Sequence, residues 1–181
     1  MRKDLDKQVK EMREKLQTME PGAKNKISMI VFSGDLDKLL AAFIIATGSV
    51  AMEMEVVLFF TFWGTAALRK PKKKAKGKDF MSKMFGTMLP KGSSKVTLSK
   101  MNMGGIGTAM MKKLMKKKNV ASLEEMIELA GELGIKIYIC EMSMDLMGFK
   151  QEEMIDYPNL EYCGVATFLK EAEESKIQLF I

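Results

Sequence analysis

The sequence predicts a three-layer α/β/α fold built on a largely parallel five-stranded sheet. Five short apolar runs recur along the chain, around Ile27 to Phe32, Glu55 to Phe60, Ile135 to Cys140, Leu160 to Cys163 and Ile177 to Ile181. Helical segments with one apolar face separate them, and several of the runs are continuously apolar, the pattern of buried strands. Strands that alternate with helices need crossover connections, and these favour parallel pairing. At 181 residues the chain suits one good core and is short for two. One domain is therefore expected over 25–181, preceded by an amphipathic helix in 1–24 and interrupted by a basic, Met-rich insertion at about 70–100.

The N-terminal segment places Leu5, Val9, Met12, Leu16 and Met19 at spacings of four and three, with charges between them, and ends at Pro21-Gly22. This is a helix with a narrow apolar seam, either docked on the domain or used as an oligomerisation arm. Ile27 to Phe32 runs into Ser33-Gly34-Asp35, a strand turning into a helix that Asp35 or Asp37 can cap and that carries Leu39, Leu40, Phe43 and Ile44. Such a turn leaves free N–H groups that can meet an anion. Its single glycine matches neither a dinucleotide fingerprint nor a P-loop, so no nucleotide is implied. The second strand ends at Thr61-Phe62-Trp63-Gly64, where an aromatic pair can line a pocket or simply pack under a loop.

From Lys70 to Lys100 a basic run precedes Phe80, Met81, Met84, Phe85 and Met88, which fall on one helical face. An insertion of this length reads as a lid, a binding loop or an interface. Met101-Asn102-Met103-Gly104-Gly105-Ile106-Gly107 is a glycine-rich turn that allows close backbone approach, ahead of a Lys-rich helix reaching Lys118. Ser122 and Glu125 form a capping box for a helix with Leu123, Met126, Ile127, Ala130 and Leu133 on its apolar face, ended by Gly134. That helix delivers the chain into the third strand, which ends at Cys140 and breaks into polar residues, with a further helix expected near Ser143. A short strand ending at Cys163, a helix opened by Gly164 and a final strand complete the chain.

Composition excludes several function classes. The chain has no histidine, which removes Ser-His-Asp and Cys-His catalysis and histidine metal ligation. Two cysteines are too few for a structural zinc site or a disulfide-stapled scaffold, and a reducing cytoplasm is the expected home. No metal site is predicted, and the 19 methionines read as core filling and adaptable surface. The uninterrupted apolar stretch Leu39 to Met52 is shorter than the ~20 residues a membrane span requires. A net charge of +6 sits largely in two clusters, seven Lys/Arg within Arg69 to Lys78 and five lysines within Lys112 to Lys118. They suit an acidic partner or solvated surface; without interleaved aromatics they do not argue for nucleic acid. Cys140, at the carboxyl end of a buried strand where open α/β sheets place their ligand chemistry, is the strongest candidate nucleophile. The competing reading is a buried cysteine acting as a small hydrophobe.

Four separated motifs then agree in order: Ser33-Gly34-Asp35-Leu36-Asp37, Phe60-Thr61-Phe62-Trp63-Gly64, Leu98-Ser99-Lys100-Met101-Asn102-Met103-Gly104-Gly105, and Cys140-x-Met142-Ser143-Met144 with Met147-Gly148. Together they resemble the DsrE/DsrF-like family, in its longer DsrE-like branch, from Ile27 to the C-terminus. The resemblance implies a parallel α/β/α sheet, homo-oligomers, and sulfur relay in which a cysteine, here Cys140, carries sulfane sulfur as a persulfide. It implies a sulfur donor or acceptor protein as partner and no cofactor. It does not imply a two-cysteine mechanism, because relatives more often have a small residue at the position of Cys163. The expected site is Cys140 with Ser33, Gly34, Asp35, Trp63, Asn102, Gly104, Gly105, Met142 and Ser143. A helix N-terminus, with Lys100, Arg69 or the basic insertion, is expected to favour the thiolate, and Glu141 and Asp145 to oppose it. The alternative is a non-catalytic oligomeric module that binds a small anionic or apolar ligand. A thiol peroxidase is a weaker third reading, since nothing in the sequence brings Cys163 to Cys140.

Overall fold

The computed structural model describes Gln8, residues 23–71 and residues 80–181. The expected N-terminal helix, apart from Gln8, and the basic run 72–79 lie outside these residues. The strands are β1 (Lys24–Val31), β2 (Glu55–Phe60), β3 (Lys136–Cys140), β4 (Leu160–Cys163) and β5 (Ser175–Phe180). All four pairings are parallel and the order is β4-β3-β2-β1-β5. The helices are α1 (Leu36–Ala51), α2 (Phe80–Met88), α3 (Ile106–Lys117), α4 (Leu123–Glu132), α5 (Glu141–Met147) and α6 (Val165–Glu173).

The layering follows from chain direction. β1, β2, β3 and β4 are laid down one after another toward the same edge, and right-handed crossovers put the intervening helices on one face. Accordingly α1, α4 and α5 bury Leu39, Phe43, Leu123, Ile127, Met144 and Met147 in one cluster with Ile27, Met29, Leu58, Phe60, Ile137 and Ile139 of the sheet. The last crossover reverses direction, from β4 across the sheet to β5, so its helix must lie on the opposite face. There α6 packs Phe168 and Ala172 with Val57, Phe59, Tyr138, Cys140 and Cys163.

Local signals explain the ends. The Ser122 hydroxyl accepts from the Glu125 N–H while the Glu125 carboxylate accepts from the Ser122 N–H, completing the capping box. Gly134, with φ +75°, ends that excursion in the left-handed conformation. Around the expected insertion α2 packs against α5, and Arg69 bridges Met154 in a single antiparallel pairing. No helix among the described residues is long and apolar enough to cross a membrane.

Candidate functional site

β3 sends its outgoing chain to α5 on one face, and its neighbour β4 sends its outgoing chain to α6 on the other. The carboxyl ends of two adjacent strands whose connections part in this way mark the position at which open α/β sheets bind ligands. Each of those two strands ends in a cysteine. Cys140 is the register partner of Cys163, and alternation along β3 directs Ile137 and Ile139 to the large apolar core while Tyr138 and Cys140 face α6. Both are free thiols and both are buried, Cys140 at 3% exposure and Cys163 at 9%.

The surroundings are more acidic than the sequence led one to expect. Burial pushes the Cys163 thiol up to about 11, and the charges of Cys140, Glu141, Glu161 and Glu171 push the same way. On the same face Lys26, only 1% exposed, pairs with Glu171 of α6. The Tyr138 hydroxyl donates to the other Glu171 oxygen at 2.9 Å. Burial, then this bond to a carboxylate, raises the Tyr138 phenol. Burial also raises Glu171, but the bonds from Lys26 and Tyr138 outweigh it, and the carboxyl titrates below its ordinary range.

Arg69, one of the cations expected to assist Cys140, is committed elsewhere. Its guanidinium lies 3.4 Å from Glu153, donates to the carbonyls of Pro90 and Gly86, and stacks over Phe149 at 4.4 Å. The helix after Cys140 begins at Glu141, two residues before the expected Ser143, and spans seven residues. Lys100 stands in the turn after Ser99, whose N–H and hydroxyl bind Asp37 at the start of α1.

The other expected site residues fall into separate groups. The Ser33 hydroxyl donates to Asp35 at 2.8 Å in the turn after β1. A Cβ at Gly34 would stand 2.6 Å from the Trp63 carbonyl oxygen, so glycine is required for the turns after β1 and β2 to interlock. That contact brings Gly34 and Trp63 together and leaves Trp63 45% exposed. Ser143 is fully buried and shares a 2.7 Å hydrogen bond with Thr61, clasping α5 to the end of β2. Met142 is exposed on α5.

Asn102 accepts from the Thr108 hydroxyl at 2.7 Å, and that hydroxyl accepts from the Leu98 N–H at 2.9 Å. Gly104 and Gly105 adopt φ +67° and +102° with open space around them, so these glycines serve the turn itself. The hydrogen bonds of this segment run to α1 and back onto itself, and none reaches the cysteine pair. A cleft of about 660 Å³ lies between α3 and the start of α4, lined by Leu36, Lys112, Met115, Asn119 and Ser122 among others, and it takes in no expected site residue.

Sequence reasoning missed Cys163 as the neighbour of Cys140, and with it Lys26, Tyr138 and Glu171. One signal was available. Each cysteine closes an apolar run, and consecutive runs joined by a short helix usually become neighbouring strands. The register that sets the two side by side is a tertiary result.

A protein-family model described as the DsrE/DsrF/DrsH-like family matches residues 23–180. The chain is 47% identical over 156 residues to the uncharacterized protein YrkE of Bacillus subtilis, covering 86% of this chain and 96% of that one. It is 38% identical over 162 residues to the sulfur carrier protein DsrE2 of Allochromatium vinosum, covering 87% and 99% respectively. Among solved structures, the ychN protein from E. coli superposes with a TM-score of 0.51 at 11% identity, over 86% of this chain and 98% of that one, a likeness of fold. On the family match and these two relatives, the chain belongs to the DsrE/DsrF/DrsH-like family.

Proposed function

We propose that the protein is a sulfur carrier that holds sulfane sulfur as a persulfide on Cys140. The observation that carries this reading is the position of Cys140, a free thiol at the carboxyl end of β3 where the outgoing connections part to opposite faces. Kinship with a protein named a sulfur carrier supports the same role. In the loading step the Cys140 thiolate attacks the sulfane sulfur of a donor. The Cys140 Sγ–sulfur bond forms, the donor's own bond to that sulfur breaks, and the donor leaves as a thiolate or, from thiosulfate, as sulfite. The step calls on no metal, histidine or nucleotide.

The two helices that follow the cysteines each expose an apolar pair one helical turn apart, Met142 and Leu146 on α5 and Val165 and Leu169 on α6. They suit a protein donor, an acceptor or a second copy of the chain, in a reducing compartment that keeps both thiols free. Because Cys140 is 3% exposed, loading requires its surroundings to open.

The test is intact-protein mass spectrometry after incubation with thiosulfate, tetrathionate or an alkyl persulfide, on wild type, Cys140→Ser and Cys163→Ser. The expected result is a sulfur-containing adduct, a persulfide sulfur from thiosulfate or the alkyl persulfide and a thiosulfonate group from tetrathionate, that reductant removes and that only Cys140→Ser lacks. No adduct on a Cys140 that iodoacetamide alkylates would sink the carrier and favour a non-catalytic binding module.

A further inference from the structure

A parallel sheet sets neighbouring strands about 4.8 Å apart. Register partners on one face therefore fall within the Cα separation of about 4.4–6.8 Å that a disulfide spans. Cys140 and Cys163 are such partners, and both side chains point to the α6 face. Two thiols set side by side in one buried cluster with Val57, Phe59, Tyr138, Phe168 and Ala172 are poorly explained as independent core fillers.

We propose that Cys163 discharges Cys140: its sulfur attacks Cys140 Sγ, expels the carried sulfur as hydrogen sulfide, and leaves a Cys140–Cys163 disulfide joining β3 to β4. The inference rests on the persulfide reading above. The bond formed joins the two Sγ atoms, and the bond broken joins Cys140 Sγ to the sulfane sulfur. That sulfur gains the two electrons the cysteine sulfurs lose, and it departs carrying the Cys163 proton, so the step consumes no outside oxidant. A dithiol reductant then returns the pair to thiols.

Burial in this cluster, and then the charges around Cys163, keep this step slow at rest. Glu141 of α5, Glu161 of β4 and Glu171 of α6 oppose its thiolate, while Lys26 of β1 is engaged by Glu171 and Tyr138 of β3 donates to the same carboxylate. A thiol held protonated at neutral pH slows the discharge, so that an acceptor at hand can take the sulfur first, and without an acceptor the sulfur leaves as sulfide.

The experiment loads wild type, Cys163→Ser and Cys163→Ala with an alkyl persulfide and removes the donor. It then follows released sulfide by bimane trapping and the Cys140–Cys163 linkage by non-reducing peptide mapping. Wild type should lose its added sulfur, release one sulfide per chain and gain the linkage, while both variants keep the adduct; the alanine variant guards against a polarity effect of serine. Equal sulfide loss from loaded variants and wild type, or loss from wild type without linked peptides, overturns the discharge step and leaves the carrier standing. Failure of the variants to take up sulfur on Cys140 overturns both.

Discussion

Along β1 the residues facing α1 are Ile27, Met29 and Val31, whereas those facing α6 are Lys26, Ser28 and Ile30. The contrast continues across the sheet. On the first face Leu58, Phe60, Ile137 and Ile139 meet apolar residues of three helices. On the second, Tyr138, Cys140, Glu161 and Cys163 share the surface with Val57 and Phe59 under one nine-residue helix among the described residues. Buried polar groups on this side are satisfied in pairs: Lys26 with Glu171, Tyr138 with Glu171, and Ser28 with Ser175 at 2.7 Å. An apolar face can be stabilised by area alone, but a polar one must match partners one by one. The first face therefore holds the fold, and the second keeps its chemistry at a cost in stability.

Removal of bulk from the first face tests this most strongly. Phe43, fully buried and 6.1 Å from the Phe60 ring, has packed neighbours on all sides. Phe43→Ala should cost about 4 kcal/mol in urea denaturation, since that core can collapse little around the lost ring. A loss under about 1 kcal/mol would mean this face is not the stabilising one.

The second face should respond to charge in an asymmetric way. Glu171→Ala leaves the buried Lys26 ammonium only the more distant Glu174 carboxylate, 3.7 Å away, and should cost about 3 kcal/mol. Lys26→Met removes the buried charge and leaves a carboxylate that is 21% exposed and still bonded to Tyr138, so about 1 kcal/mol is expected. Equal losses in thermal or chemical unfolding would break the asymmetry.

The same pair sets an acid limit. Because the folded Glu171 carboxyl titrates below its ordinary 4.5, its stabilisation is complete above that value. It is lost as pH falls through the lower folded-state value. Glu171→Gln should flatten the stability profile in that acid window, and an unchanged slope would discount the pair.

The smallest effect belongs to neither face. Ser122→Ala removes the capping box that starts α4 and should cost about 1 kcal/mol without changing sulfur loading. A change in loading would tie α4 to the cysteine pair and blur the division between the two faces.

The regular elements were readable because their signals are local. Glu55–Phe60 and Leu160–Cys163 are strands over the predicted residues, and the Ser122/Glu125 box starts its helix where expected. Within the candidate site, Cys140 at the strand end and the Gly34 and Trp63 turns were legible for the same reason. The roles of Ser143 and Asn102 were not, because hydrogen bonds to Thr61 and Thr108 decide them. Arg69 looked available from its place beside a basic run, yet Glu153, 84 positions away, takes it into the interior.

By itself the sequence determined the number and order of strands, the sites of the caps and a lone strong nucleophile candidate in a chain without histidine. Each of these depends on residues within a few positions of one another. Only the tertiary structure decided that Cys163 stands beside Cys140, that the carboxylates of Glu141, Glu161 and Glu171 surround Cys163, and that Lys26 is buried on that face. Register and face are set when separate strands pack, and a shift of one residue would turn every side chain to the other side.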